Sequence, residues 1–141
     1  MKAVQVRRPE GWEPVDATIF LHGICGVFAL ALHHLLGYPI EVLLDDSEGE
    51  MWARLVHLYC PVEVREQQGY ADVRGITTSW DGFLAEFADL SETWEHQKVD
   101  PDELWEQLLA EMDNEAFCEF YGIAAALIRE ENWAYDGAHM E

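Results

Sequence analysis

Basic residues are scarce in this chain: 8 Lys and Arg residues stand against 28 Asp and Glu residues, which gives the 141 residues a formal net charge of −20 at pH 7. Such a field repels nucleic acids and anionic membranes, so we expect no direct nucleic-acid or membrane binding. No apolar run approaches the length of a membrane span, and the first residues lack a signal-peptide core. We therefore expect a cytoplasmic protein.

Cysteine is equally sparse and is not arranged in metal-binding or disulfide patterns. The three cysteines are odd in number and scattered, which argues against a disulfide framework. No Cys-x-x-Cys or His-x-x-x-His pair occurs. The adjacent pair His33-His34 would point in different directions on a helix. We expect neither a metal site nor a cofactor.

Half of the residues are hydrophobic and 12% are aromatic, which is typical of a globular protein. The length is right for one domain with a core of its own, so residues 1–141 are predicted as a single domain. Within it we expect an α+β core over residues 1–90 and an acidic helical extension over 91–141. The fold class is α+β, with an N-terminal central helix packed on a small antiparallel sheet and followed by acidic C-terminal helices.

The first half of the chain reads as a central helix and short strands. A weak alternation at residues 3–6 predicts a strand, and Pro and Gly predict a loop over 8–14. The run from Cys25 to Leu36 is apolar nearly all round and ends at Gly37, as a covered helix would. The strands expected after it are residues 40–44, 52–60 with Pro61 as an interruption, and 70–73.

The second half reads as helical from Ser79 onward, where aromatic and aliphatic residues recur at helix spacing. Asp100-Pro101-Asp102-Glu103 is a strong helix start, with an N-cap Asp and a Pro in the first turn. Asn114 is predicted to cap a last helix that reaches Ile128.

Three residues in this order suggest cysteine chemistry: Cys25 at a helix start, His57 in a strand and Asp72 in the next strand. Unpaired N–H groups and the helix dipole at a helix N-terminus favour a thiolate. His57 would take the thiol proton, and Asp72 would orient its ring. The Cys25 N–H would help to stabilise an oxyanion.

Three neighbours of the thiol have predicted roles as well. Gly23 and Gly26 would let a substrate backbone approach, since glycine carries no side chain. His22 is a speculative second donor to the oxyanion. Each of the three central residues also has a structural interpretation: Cys25 as a buried core thiol, His57 as a satisfied strand histidine, and residues 72–75 as a turn with a local ion pair.

The segment Gly23-Ile24-Cys25-Gly26-Val27-Phe28-Ala29-Leu30 resembles the Cys-Gly-x-x-Ala-Leu start of the central helix in the papain-like superfamily of cysteine peptidases and transferases. The similarity is to compact bacterial members such as the bacteriocin-processing peptidases, and it covers about residues 20–76. It implies a papain-like core with Cys25 as nucleophile, His57 as base and Asp72 as orienting group. The Gln that these peptidases carry before the Cys is replaced by Thr18-Ile19-Phe20. Deamidases, acyltransferases and inactive binding proteins also occur among the relatives.

Two kinds of partner therefore follow from the sequence. A cysteine hydrolase or transferase would act on a peptide or protein substrate. Residues 76–141, with 17 acidic and 2 basic residues, suggest instead a non-enzymatic inhibitor or nucleic-acid mimic that binds a basic protein. Glu103, Glu106 and Glu111 would carry that contact. A third alternative is a plain interaction module with an aromatic-rich helical face, and a fourth is an acidic surface that serves solubility alone.

Overall fold

The computed structural model of the chain describes residues 3–8, 11–16, 20, 24–45, 55–84, 95–130, 135 and 139–140. Helices and antiparallel strands are mixed along it, so the fold class is α+β, as predicted. In chain order the elements are β1 (Ala3–Arg8), β2 (Gly11–Asp16), α1 (Cys25–Leu36), β3 (Ile40–Leu44), β4 (Leu55–Val64), β5 (Gln67–Asp72), β6 (Gly75–Thr77), α2 (Trp80–Leu84), β7 (Glu95–Val99), α3 (Pro101–Glu111), α4 (Asn114–Glu130) and β8 (His139–Met140).

The main sheet is antiparallel, with five strands in the order β6-β5-β4-β3-β7, and the short strand β8 pairs with the end of β4. Strands β1 and β2 form a separate hairpin. A two-residue turn joins β4 to β5, and both of its residues, Arg65 and Glu66, have positive φ angles. Positive φ at both central positions is the geometry of the tight hairpin turns that match the strand twist.

Helix α1 begins and ends where the sequence predicts. Gly37 closes it in the left-handed conformation with a φ of 77°, and its N–H donates to the carbonyl of His33. All eight residues from Cys25 to Leu32 are buried, which accounts for the nearly uniform apolar sequence. The helix packs against β4 and against helices α3 and α4.

The two faces of β4 have different neighbours, because successive side chains of a strand point to opposite sides. Leu58 and Cys60 face α1, where the Cys60 thiol lies 3.6 Å from the carbonyl oxygen of Ala29. His57 and Tyr59 face the other side, toward Phe83 of α2. Aromatic rings of β4, β5 and α2 form a layer on that face, with ring centroids 4.6–6.4 Å apart: Tyr59, Tyr70, Trp80 and Phe83.

Strand β4 changes its neighbour halfway along. Its ladder with β3 covers residues up to Tyr59, and its ladder with β5 starts at Cys60. The amide of Leu58 lies before the β5 ladder begins. The N-terminus of α1 reaches the sheet at this place, since the thiol of Cys25 accepts a hydrogen bond from Leu58.

Three expectations from the sequence are wrong. Residues 11–14 belong to strand β2 rather than to a loop, because they pair with β1. Pro61 does not interrupt β4: it lies past the β3 ladder, where its missing N–H is tolerated. Residues 95–99 form strand β7 on the outer side of β3, so the segment after residue 90 is not purely helical. Residues 85–94 of the stretch expected to be helical lie outside the described residues.

Other expectations are confirmed. Asp100 caps α3, and its side chain accepts a hydrogen bond from the N–H of Asp102 at 2.8 Å. Helix α4 begins at Asn114 as expected, but its cap is Asp113 rather than Asn114, since the Asp113 side chain accepts a hydrogen bond from the N–H of Ala116 at 2.7 Å. Among the residues that the structure describes, no helix is long and apolar enough to cross a membrane.

Two glycines give a matched test of this packing. A Cβ added at Gly26 would lie 3.0 Å from Leu58 Cδ1 and 3.2 Å from Leu108 Cδ2, whereas a Cβ at Gly122 would meet nothing within 4 Å. We expect Gly26→Ala to lower the free energy of unfolding by about 1–3 kcal/mol through overpacking. Gly122→Ala should raise it by about 0.5–1 kcal/mol, because alanine favours the helix. Urea denaturation of both variants measures the difference, and a stabilised Gly26→Ala would contradict the packing.

Candidate active site

Cys25 is the first residue of α1, and its side chain is 4% exposed. The residue before it, Ile24, provides no side-chain cap for the helix. The sulfur accepts a hydrogen bond from the backbone N–H of Leu58 at 3.3 Å. A backbone donor and the positive end of a helix dipole both stabilise a negative charge on sulfur. Both features lie at the sulfur of Cys25.

His57 connects Cys25 to Asp72. Its side chain is fully buried, and Nε2 lies 2.9 Å from Oδ2 of Asp72. Cys25 interacts with the same imidazole and favours its charged form. The ring also packs against Phe83 and Tyr59, whose centroids lie 5.8 Å and 6.2 Å away.

Electrostatics favour the charged form of His57. Burial by itself disfavours an imidazolium, but hydrogen bonds with Asp72 and Cys25 outweigh burial and raise the pKa of His57 to about 9. At neutral pH the ring is therefore an imidazolium, in which both nitrogens donate. The Nε2 donor points to the carboxylate of Asp72, and the charge of the ring is favoured further by Cys25.

Asp72 is 2% exposed, and Arg74 compensates its charge from the other side. The Arg74 guanidinium donates to Oδ2 at 2.7 Å through Nη2 and to Oδ1 at 3.2 Å through Nε. The backbone N–H of Arg74 donates to Oδ1 at 2.9 Å. Burial alone would raise the pKa of Asp72, but the hydrogen bonds from His57 and Arg74 lower it. The carboxyl group is thus ionised and held in one orientation.

Arg74 and Tyr135 extend this network beyond the predicted residues. The guanidinium of Arg74 lies 4.6 Å above the ring of Phe83 and donates to the Phe83 carbonyl at 3.2 Å. The hydroxyl of Tyr135 donates to the backbone carbonyl of Asp72 at 2.7 Å. The hydroxyl of Tyr38 donates in turn to the carbonyl of Tyr135 at 2.8 Å.

These two partners differ in how visible they are in the sequence. The sequence allows a local ion pair in the turn over residues 72–75. In the structure, Asp72 forms this ion pair with Arg74 and also the hydrogen bond with His57. Tyr135 lies 63 positions from Asp72, and no local pattern marks the pair.

Of the remaining predicted site residues, the structure describes Gly26 and the three glutamates of α3. The space beside Gly26 is occupied by leucines of β4 and α3, where the sequence suggests a substrate. His22 and Gly23 lie outside the described residues. Glu103, Glu106 and Glu111 are exposed on α3.

The other two thiols have different surroundings. Cys60 is buried in the core, and burial raises its pKa, so it stays a neutral thiol. Cys118 is exposed on α4. Within the part of the chain that the structure describes, no group of three or more His, Cys, Asp or Glu side chains could hold a metal ion.

The raised pKa of His57 predicts a loss of stability toward alkaline pH. A histidine whose pKa is higher in the folded state stabilises the fold fully below its unfolded value, near 6.5, and this contribution disappears as pH rises through about 9. The size of the effect is on the order of 3 kcal/mol. Denaturant titrations between pH 6 and pH 9 measure the loss.

Cys25→Ala is the matched variant for this prediction. It removes one of the two groups that raise the pKa of His57, so the transition should move to lower pH, as followed by NMR of the ring. A His57 transition that stays at the same pH in Cys25→Ala would show that the thiol does not interact with the ring.

Comparison with known proteins gives no relative for this arrangement. No protein-family model matches the chain, and neither a curated protein nor a solved structure matches it. The function must therefore be argued from the residues themselves.

Proposed function

We propose that the protein is a cysteine-dependent hydrolase or transferase, a peptidase, deamidase or acyltransferase, of the papain-like kind that the sequence resembles. One arrangement carries the proposal: the Leu58 N–H donates to the Cys25 sulfur, Cys25 interacts electrostatically with the buried His57, and His57 is hydrogen-bonded to Asp72. Cys25 is the nucleophile, His57 the acid and base, and Asp72 the orienting group. A core cysteine would need neither a helix N-terminus nor a buried imidazolium beside it.

The chemistry starts from a thiolate and an imidazolium. The thiolate of Cys25 attacks the carbonyl carbon of the substrate; a C–S bond forms, and the carbonyl electron pair moves to oxygen. The backbone N–H of Cys25 at the helix end is suited to stabilise that oxyanion. When the intermediate collapses, the leaving amine or alcohol takes the proton of His57 and a thioester remains.

The second half returns the enzyme to its starting state. His57, now neutral, removes a proton from water or from an acceptor amine or alcohol, and the deprotonated oxygen or nitrogen attacks the thioester. The C–S bond breaks and the electron pair returns to Cys25 as thiolate, beside a newly protonated His57. Water gives hydrolysis, and an acceptor gives group transfer.

Access to the thiol constrains the substrate. Since the Cys25 side chain is only 4% exposed, the groups that cover it must move before a carbonyl can reach the sulfur. We therefore expect slow acylation by a small reagent and faster reaction with the natural substrate, whose binding energy would drive the opening.

An activated ester tests the proposal. Incubated with p-nitrophenyl acetate at pH 7, the protein should release nitrophenol in a burst and carry an acetyl group on Cys25, identified by peptide mapping. His57→Gln should slow this acylation by about 100-fold or more, the usual contribution of a general acid or base. Circular dichroism checks that the variant is folded.

His96→Gln makes the same chemical change at an exposed histidine on β7, 51% exposed, and should acylate at the unchanged rate. The exposed Cys118 serves as an internal comparison for nonspecific acetylation. Acetylation confined to Cys118, or an equal rate at Cys25 in His57→Gln, would rule out the thiol mechanism.

A second candidate function is a non-enzymatic protein whose acidic surface binds a basic protein. The observation that favours it is the exposure of Glu103, Glu106 and Glu111 on α3, within a segment that has 17 acidic and 2 basic residues. Long-range attraction of this kind accelerates association and is screened over about 8 Å at physiological ionic strength.

Charge reversal tests that alternative. We expect Glu103→Lys with Glu106→Lys to weaken the capture of a basic protein from cell extract by about tenfold at low salt, and less at high salt. Glu63→Lys with Glu66→Lys changes the charge equally at two exposed positions near the β4–β5 turn and should have a smaller effect. Equal losses for the two double variants would indicate that only the total charge matters.

A further inference from the structure

A cavity of about 380 Å³ lies between α1, α3 and α4, away from the thiol. It falls within the size range of small-ligand sites. Its lining consists of His34, Trp105, Phe117, Cys118, Tyr121 and Gly122. His34 is nine residues after Cys25 on α1, which places the cavity about 14 Å along the helix axis from the thiol. Ligand binding in this cavity would therefore be independent of the proposed cysteine chemistry.

Four aromatic rings form the walls of this cavity. Trp105 and Phe117 meet edge to face with centroids 5.0 Å apart, and Phe117 and Tyr121 stack at 5.8 Å. The imidazole of His34 lies 5.9 Å from Trp105 and 5.8 Å from Tyr121. The hydroxyl of Tyr121 lies 2.9 Å from Nδ1 of His34, which fixes the two rings relative to each other. Trp105 is nevertheless 39% exposed, an unusual exposure for a residue that would bury well.

The charges around the rings are negative. Asp102 lies one turn before Trp105 on α3 and interacts electrostatically with His34. Glu115 and Glu119 lie one turn before Cys118 and Gly122 on α4, and all three carboxylates are exposed. Of the described residues that line the cavity, none is Lys or Arg. Arg129 acts on Tyr121, but it lies eight positions further along α4.

The imidazole in the wall adds no positive charge at neutral pH. Partial burial, and then the neighbouring His33, lower the pKa of His34 against the opposite effect of Asp102. An aromatic wall that is itself uncharged, next to carboxylates, attracts a cation through the ring faces.

We propose that this cavity binds an alkylated ammonium group. The aromatic rings would contact the methyl or methylene groups that surround the nitrogen, and the carboxylates of Asp102, Glu115 and Glu119 would supply the long-range attraction. A neutral apolar ligand would fill the same volume but would gain nothing from the carboxylates, and an anion would be repelled. The group can arrive on a free quaternary ammonium compound or on a methylated lysine of a peptide.

Four probes separate charge from shape and one source from the other. They are choline, its uncharged isostere dimethylbutanol, N-acetyl-trimethyllysine amide and N-acetyl-lysine amide. Binding is followed by calorimetry and by the NMR signal of the Trp105 indole N–H. We expect one of the two quaternary ammonium probes to bind at least about fivefold more tightly than dimethylbutanol, the factor that one exposed cation–π contact supplies. Preference for trimethyllysine over choline indicates a peptide, and the reverse indicates a free small molecule.

Two variants locate the binding in the cavity. Trp105→Leu removes one aromatic wall and should weaken binding by about fivefold or more. Gly122→Leu should fill the cavity, because a side chain at Gly122 would enter open space. Leucine also favours the helix, so this variant is expected to fold. If Trp105→Leu does not fold, Gly122→Leu alone tests whether the ligand binds in the cavity. Gly82→Leu, at a glycine of α2 outside the cavity, is its matched control and should bind normally.

Three results would overturn the proposal. One is equal affinity for the quaternary ammonium probes and for dimethylbutanol, which would make the cavity apolar without a preference for cations. Another is unchanged affinity in a folded Gly122→Leu, which would place the binding elsewhere. The third is the absence of binding by all four probes at millimolar concentration.

Discussion

The ionised carboxylate of Asp72 is almost completely buried, and the arrangement around it follows from the need to compensate that charge. An unpaired buried carboxylate costs several kcal/mol of folding free energy, so every acceptor position must find a donor. His57 supplies one donor from β4, and Arg74 supplies three from the turn after β5. Arg74 then ties the turn to α2 through the carbonyl of Phe83. The orientation of the His57 ring, and with it the approach to Cys25, is fixed by this compensation.

The position of the thiol depends on a second constraint, the change of neighbours along β4. A strand with partners on both sides has no free amide to offer a sulfur atom. At Leu58 the β5 ladder has not yet begun, and the N-terminus of α1 supplies the acceptor instead. The same contact buries the sulfur. The packing that places the Cys25 sulfur at the Leu58 N–H thus also covers it, which limits the access of small oxidants to the sulfur.

Elements formed by interactions between residues close in sequence could be predicted from the sequence, and elements formed by distant residues could not. Helix α1 and the start of α3 could be predicted because their signals are local: an apolar run closed by Gly37, and Asp100 before a proline. Strand β7 could not, since Glu95–Val99 contains mostly polar residues and becomes a strand only by pairing with β3. In the site, the ordered Cys25, His57 and Asp72 were visible as residue types in suitable elements. The packing role of Gly26 was not visible, because it depends on leucines 32 and more positions away.

The pairing of β7 with β3 has a consequence for how the chain reaches its folded state during synthesis. Four of the five residues of β3 are apolar and all five are buried, yet one of its two neighbours is formed only by residues 95–99. Until that segment leaves the ribosome, β3 presents an open, apolar edge, which is the feature most prone to pair with a second chain. The segment that follows β7 is strongly acidic. Its negative charge would lie near the edge of β3 that β7 has just covered, and repulsion between the acidic segments of two nascent chains would keep them apart. The negative charge of the second half would thus act as a safeguard against association during folding.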